Sequence, residues 1–339
     1  MIIDAYSHMM YGRYMDKLAA EGGDWAKERV AQSRLSAQRR PQSTDLDLRL
    51  AQLDKYGIDL QVVTAGMNCN AMPGDIAARL TLARAVNNNM ARLLEDSKGR
   101  LIPIGTIPLA EFEKGGQQEA DRAIDTLGLK GFIFSSHLNG KPLDLPEFEP
   151  FWAYAAVKGI AIYIHPAWPV SYVSRPYEGE YDLSHNFGWP FETALALSRL
   201  VFSGIMERYP NLKIVSHHLG GMIPFFWGRT NETYHNGRSM YEGEDESAKG
   251  GAALTRPLFD YFSRFYYDTA IGGSAPALRC AYEVFGADQL VFATDAPLGP
   301  RNGEHRLETY PRVIKSLGLP ETDVKKIFED NTRRLLNLT

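Results

Sequence analysis

Ala161-Ile162-Tyr163-Ile164-His165 is a short run of β-branched and aromatic side chains that stops on an ionisable residue. A run of this length and composition reads as a strand buried on both faces. Seven similar runs accompany it, at 2–6, 60–65, 102–107, 131–135, 213–217, 265–268 and 290–294. Longer amphipathic stretches such as 45–56, 75–94 and 191–208 lie between them. Strands alternating with helices predict an α/β fold with a parallel sheet wrapped in helices, and eight strands predict a (β/α)8 TIM barrel. Periodicity alone does not close the sheet, because an open doubly wound sheet reads in the same way. The punctuation supports the divisions: Ser43-Thr44-Asp45 is a capping cluster, and Gly57, Gly128 and Gly159 stand where helices should stop.

The 339 residues read as one domain, longer than the roughly 250 residues of an ordinary barrel. The surplus falls in polar segments at about 11–43, 168–190 and 235–255, which read as irregular insertions. The first two directly follow strands, which would place them over the C-terminal mouth of the barrel. Arg29, Arg34, Arg39 and Arg40 in the first could bind a carboxylate or form a solvated face. With 37 basic against 41 acidic residues the net charge is −4, which offers no footprint for nucleic acid or an anionic membrane. Cys69 and Cys280 are the only cysteines, so a disulfide framework and a cysteine metal cluster are both excluded. No signal peptide and no apolar run of about 18 residues is visible, and a cytoplasmic location is expected.

Metal-ligand residue types recur at the ends of the apolar runs. Tyr6 and His8 close the first, His165 the fifth, and His217 and His218 the sixth, while Asp295 follows the eighth. In a parallel barrel these ends share one face, so jointly they predict a metal site even though any single histidine is more simply a hydrogen-bonded core residue.

Several motifs carry a family resemblance: Asp-x-Tyr-x-His at 4–8, Ser-His-Leu-Asn at 136–139, Ile-His-Pro at 164–166 and Gly-Trp-Pro-Phe-Glu-Thr at 188–193. To these are added the segment 203–215, His-Leu-Gly-Gly at 218–221 and Ala-Thr-Asp-Ala-Pro at 293–297. Together they resemble the amidohydrolase superfamily, in the branch containing aminocarboxymuconate semialdehyde decarboxylase and related aromatic acid decarboxylases. The resemblance implies a (β/α)8 barrel with a divalent metal on His8, His165 and Asp295. It makes His218 a ligand or catalytic acid/base, with Asp295 as its catalytic partner.

The first strand departs from the family's usual His-x-His by ending Tyr6-Ser7-His8. This resembles amidohydrolase-related dinuclear Fe/Mn oxygenases of the 2-aminoisobutyric acid hydroxylase kind. That likeness implies two ions on Tyr6, His8, His165, Glu192, His218 and Asp295, with His137, His217 and His305 as outer-shell or substrate groups. The expected function is hydroxylation of a small carboxylate-bearing substrate, with electrons from an external donor. Two alternatives stand beside it. One is a redox-neutral decarboxylase, hydratase or hydrolase using one divalent ion such as zinc; the other is a non-catalytic subunit. A homo- or hetero-oligomer with a related chain is expected, without nucleic acid or membrane partners.

Overall fold

A computed structural model describes residues 1–66, 75–167, 181–235, 238, 239, 252 and 254–338. Eight parallel strands form its centre: β1 (Ile3–His8), β2 (Leu60–Thr64), β3 (Leu101–Ile104), β4 (Gly131–Ser135), β5 (Ala161–His165), β6 (Lys213–Ser216), β7 (Tyr266–Asp268) and β8 (Leu290–Val291). Regular pairing runs β1-β2-β3 and β4-β5-β6-β7-β8 in parallel register. Two seams join these arcs. Gly105, just past β3, bridges to Phe132 of β4, and Ser7 of β1 bridges to Ala296 beyond β8. Backbone bonds from Ala5 N to Phe292 O and from His8 N to Ala296 O, both 2.7 Å, complete the circle. The sheet is therefore a closed (β/α)8 barrel and has no free edge.

Strand alternation sorts the core into two layers. Ala161 and Tyr163 of β5 join Tyr6, Val62, Ile102, Ile104, Val215 and Val291 inside the barrel. Ile162 and Ile164 of the same strand point outward, into the layer shared with the helices. Leu335 and Leu336 of the C-terminal helix also belong to the inner cluster.

The helices begin and end for local reasons. Asp45 caps Leu46–Tyr56 by accepting from Leu48 N, and Gly57 at φ +67° stops it in the left-handed region. Asp75 caps Ile76–Asp96 in the same way. The stretch expected as one helix at 191–208 is two, Trp189–Phe202 and Ile205–Arg208, separated by Gly204 at φ +80°.

The segment after β1 differs from the irregular loop expected of it. It contains the helices Met15–Glu21 and Gly23–Arg39. The longer one buries only Ala26 and Val30, too sparse an apolar stripe to show as periodicity. Among the described residues no helix is long and apolar enough to cross a membrane. Cys280 is a free, half-buried thiol; Cys69 and most of 168–190 and 235–255 lie outside the described residues.

Candidate active site

Pleating of β1 decides which of its last residues face inward. Ser7 points away and donates from Oγ to Val62 O at 2.8 Å, leaving Tyr6 and His8 on the barrel side. Their rings meet edge to face at 4.9 Å. His165 at the end of β5 lies 6.0 Å from the His8 ring and 5.3 Å from that of His217. His218 lies 6.0 Å from His165 and stacks on Trp189 at 5.9 Å with an interplanar angle of 12°. Beyond β8, the Asp295 N–H donates to Tyr6 O at 3.0 Å, and its carboxylate Oδ1 stands 3.0 Å from His8 Nε2. The structure therefore brings Tyr6, His8, His165, His217, His218 and Asp295 together at the C-terminal ends of four strands.

The remaining sequence candidates are carried by other elements. Glu192 is buried in the first turn of Trp189–Phe202, three residues past Trp189. His137 sits in a short hairpin after β4 and accepts from Gly140 N at 3.1 Å. His305 is exposed on the helix Glu304–Ser316 and does not join the cluster. Its neighbour Arg306 does, because the helix turns that side chain inward; its Nη1 lies 2.6 Å from Asp295 Oδ2. A Cβ at Gly299 would stand 2.5 Å from Arg306 Nε, so only glycine leaves room for this approach. His217, expected in an outer position, is at the centre: it is wholly buried, with the Tyr6 ring 3.7 Å away. Its Nδ1 pairs with Asp268 Oδ2 at 2.7 Å. Sequence reading missed Asp268 and Arg306, although Asp268 closes the seventh apolar run as His165 closes the fifth.

Electrostatics follow from burial. Desolvation, followed by the proximity of His217, His8 and His218, holds His165 well below the ordinary imidazole range. Desolvation presses His217 to about 3 and also lowers His218. These imidazoles are neutral at pH 7 and carry lone pairs. Desolvation pushes Asp295 upward, but the His8 hydrogen bond and the proximity of His8, His218 and Arg306 outweigh it and hold the carboxylate well below its usual range. Burial, followed by the charge of Asp295, keeps the Tyr6 phenol far above its usual value and hence neutral.

Neutral imidazoles beside an ionised carboxylate suit a divalent cation in donor chemistry. Among the described residues the Tyr6 hydroxyl and His217 Nε2 are buried without hydrogen-bond partners. The rings meet edge-on or tilted, however, and among the described residues no three His, Cys, Asp or Glu side chains converge on one ion position. Closure on an ion would require small side-chain adjustments.

The cluster opens on a cavity of about 330 Å³ walled by Met9, Met10, Ala65, Trp189, Pro297 and Leu298. Arg29, Ser33, Ser36 and Arg40 from the segment after β1 complete its rim.

The amidohydrolase family model matches residues 3–338. The chain belongs to the amidohydrolase family. Among its relatives is the gamma-resorcylate decarboxylase of Rhizobium sp. (strain MTP-10005), 27% identical over 300 residues that cover 86% of this amidohydrolase and 87% of that enzyme. The crystal structure of 5-carboxyvanillate decarboxylase from Sphingomonas paucimobilis superposes with a TM-score of 0.81 at 26% identity, covering 100% of this chain and 99% of that one. A dihydroxybenzoic acid decarboxylase from Polaromonas sp. JS666, solved with bound manganese, shares the fold at a TM-score of 0.79 and 23% identity, covering 99% and 97% of the two chains. Other curated relatives, 22–30% identical, are likewise named decarboxylases, a 2-amino-3-carboxymuconate-6-semialdehyde decarboxylase among them.

These relatives overturn the expected oxygenase. The Tyr6-x-His8 ending points to dioxygen chemistry, yet relatives that match most of this amidohydrolase carry decarboxylase names. A single exchanged side chain on one strand is weaker evidence than likeness over the whole barrel. Neither iron nor an external electron donor has support from them.

Proposed function

We propose that this amidohydrolase is a metal-dependent, redox-neutral decarboxylase of a small hydroxylated aromatic acid. The observation that carries the reading is the cavity, where apolar walls meet the imidazoles of His8 and His165 and guanidinium groups at the rim. Its slot between Met9, Met10, Trp189 and Leu298 suits a flat ring. Arg40 is half-buried and has no side-chain partner among the described residues, so it is available for an anionic substituent. Arg29 is partly committed, to Gln32 Oε1 at 3.0 Å and to the Trp25 face. The relatives' decarboxylase names support the same reaction class.

Breaking the ring–carboxylate bond releases CO2 and leaves the bonding electron pair on the ring carbon. A proton must replace the carboxylate there, and no electrons leave the reacting pair. His218, half-buried beside the cavity wall formed by Trp189, is placed to carry that proton. Asp295, held ionised by His8 and Arg306, steadies the positive charge that His218 acquires between proton uptake and delivery. A divalent cation would neutralise the substrate carboxylate and the adjoining hydroxyl oxygen. His8, His165 and Asp295 would hold it, with Tyr6 as a further donor and Glu192, buried in the first turn of the helix that begins at Trp189, as a candidate carboxylate. Manganese, as in the Polaromonas fold relative, is the first ion to try.

The reading is tested by incubating manganese-loaded protein with 2,6-dihydroxybenzoate, 5-carboxyvanillate and related acids and measuring CO2. At least one acid should lose one CO2 per molecule consumed, and chelation should abolish the reaction. No turnover across the panel, or turnover indifferent to chelation, contradicts it.

A further inference from the structure

We infer that Asp268 is a positioning residue of this site, a single carboxylate that sets the direction of two consecutive histidines. The inference rests on reading the cluster as catalytic. β6 delivers His217 in extended geometry, at φ −79° and ψ 157°. The chain then turns through His218 at φ +53° and Leu219 at φ +58°, a left-handed course that side chains with a Cβ resist. At the residue where this course begins, the His218 N–H donates to Asp268 Oδ1 at 2.9 Å. The same oxygen accepts from Ala270 N at 3.0 Å, which fixes the carboxylate to the end of its own strand. The other oxygen, Oδ2, lies 2.7 Å from His217 Nδ1.

Both side chains are wholly buried, so water does not compete for either contact. An ionised Asp268 can only accept, and the Nδ1 of His217 must therefore carry its proton. The Nε2 lone pair has no partner among the described residues, with the Tyr6 ring 3.7 Å from that of His217. A purely structural acceptor would need one oxygen. This arrangement uses both, one to shape the His218 turn and one to choose the His217 tautomer. Imidazoles that donate one nitrogen to a carboxylate and present the other inward are oriented and made more basic by that bond.

The test is histidine tautomer assignment by two-bond 1H–15N correlation at pH 8, with the His217 signals identified by their loss in His217→Gln. The wild type should show His217 protonated on Nδ1 and bare on Nε2. In Asp268→Asn the two backbone donors keep the amide oxygen where Oδ1 was, and the amide NH2 then faces Nδ1. The proton should move to Nε2, a change that loss of packing alone would not produce. A wild-type His217 protonated on Nε2 overturns the inference whether or not the variant folds, as does a variant that keeps the wild-type tautomer. No substrate enters this measurement, so its failure is separable from failure of the decarboxylase reading.

Discussion

Arg306 and Asp295 meet through one oxygen, with Arg306 Nη1 2.6 Å from Oδ2, while His8 Nε2 approaches the other at 3.0 Å. The acid after the eighth strand is thus held from two sides, by a helix that follows it and a strand that closes the barrel against it. Arg306→Met should remove one of the influences that hold this carboxylate down. Activity is expected to fall about tenfold, by analogy with other outer groups that orient a site. The acid limb of the pH–rate profile should move to higher pH. Arg306→Lys, which keeps the charge, should recover part of both, and pH profiles of the two variants check it.

Asp295→Asn should cost far more activity than stability, because it deletes the charge on which His8 and Arg306 converge. A loss of 100-fold or more is expected, within the range seen when an electrostatic group at a reacting centre is removed. Asp288→Asn is the control. Asp288 lies just before β8 and makes an exposed ion pair with Lys326 at 3.0 Å, an interaction worth little. Steady-state rates and thermal melts of the two variants should diverge accordingly.

Tyr6→Phe removes a buried hydroxyl that makes no geometrically sound hydrogen bond among the described residues. Stability should therefore hold or rise by about 1 kcal/mol, since the removed group only costs desolvation. If Tyr6 serves as a donor, manganese affinity should drop in the same variant. Melting curves without metal and calorimetric titration with manganese separate the two effects.

Asp4 provides the pH prediction. Burial raises its carboxyl to about 6, against hydrogen bonds from Gln61 and Thr294 that lower it. A folded value above the unfolded one means that the native state binds more protons between about pH 4 and 6. Its contribution is complete below the unfolded value and is lost as pH rises through 6, on the order of 3 kcal/mol for this group. Urea unfolding of wild type and Asp4→Asn at pH 4 and 7 checks the sign: the wild type should lose stability relative to the variant on going to pH 7.

Gly221, at φ +63°, passes so close to the helix Trp189–Phe202 that a Cβ there would sit 2.1 Å from Pro190 O. Gly221→Ala should separate the turn after His218 from Trp189, destabilising the protein by more than 1 kcal/mol. Thermal melting measures this, and quenched or shifted Trp189 fluorescence should accompany it.

The eight strands were legible because each is an apolar run bounded by turn residues, and closure of the sheet needed only the seams at Gly105 and Ser7. His8, His165, His218 and Asp295 were legible for the same reason, as polar residues at the ends of such runs. Asp268 and His217 were harder to pair. They lie 51 residues apart and meet only because β7 neighbours β6. Arg306 belongs to no motif; the helical phase that buries it leaves His305 outside. The helix Gly23–Arg39 escaped notice because Gly22, at its N-cap, supplies no side-chain cap and its buried face is two residues wide. Tyr6 misled in the opposite direction: its residue type suggested a redox metal, whereas the relatives that match most of the chain are named decarboxylases.

The decarboxylase claim is tested most directly by the stoichiometry of CO2 release with oxygen excluded. Manganese-loaded protein, supplied with carboxyl-13C acids from the panel in D2O, should yield one 13CO2 and one deuterium at the vacated ring carbon per turnover, at the same rate in air and under argon. Turnover that stops under argon, or a product that keeps its carboxylate and gains a hydroxyl, would contradict it.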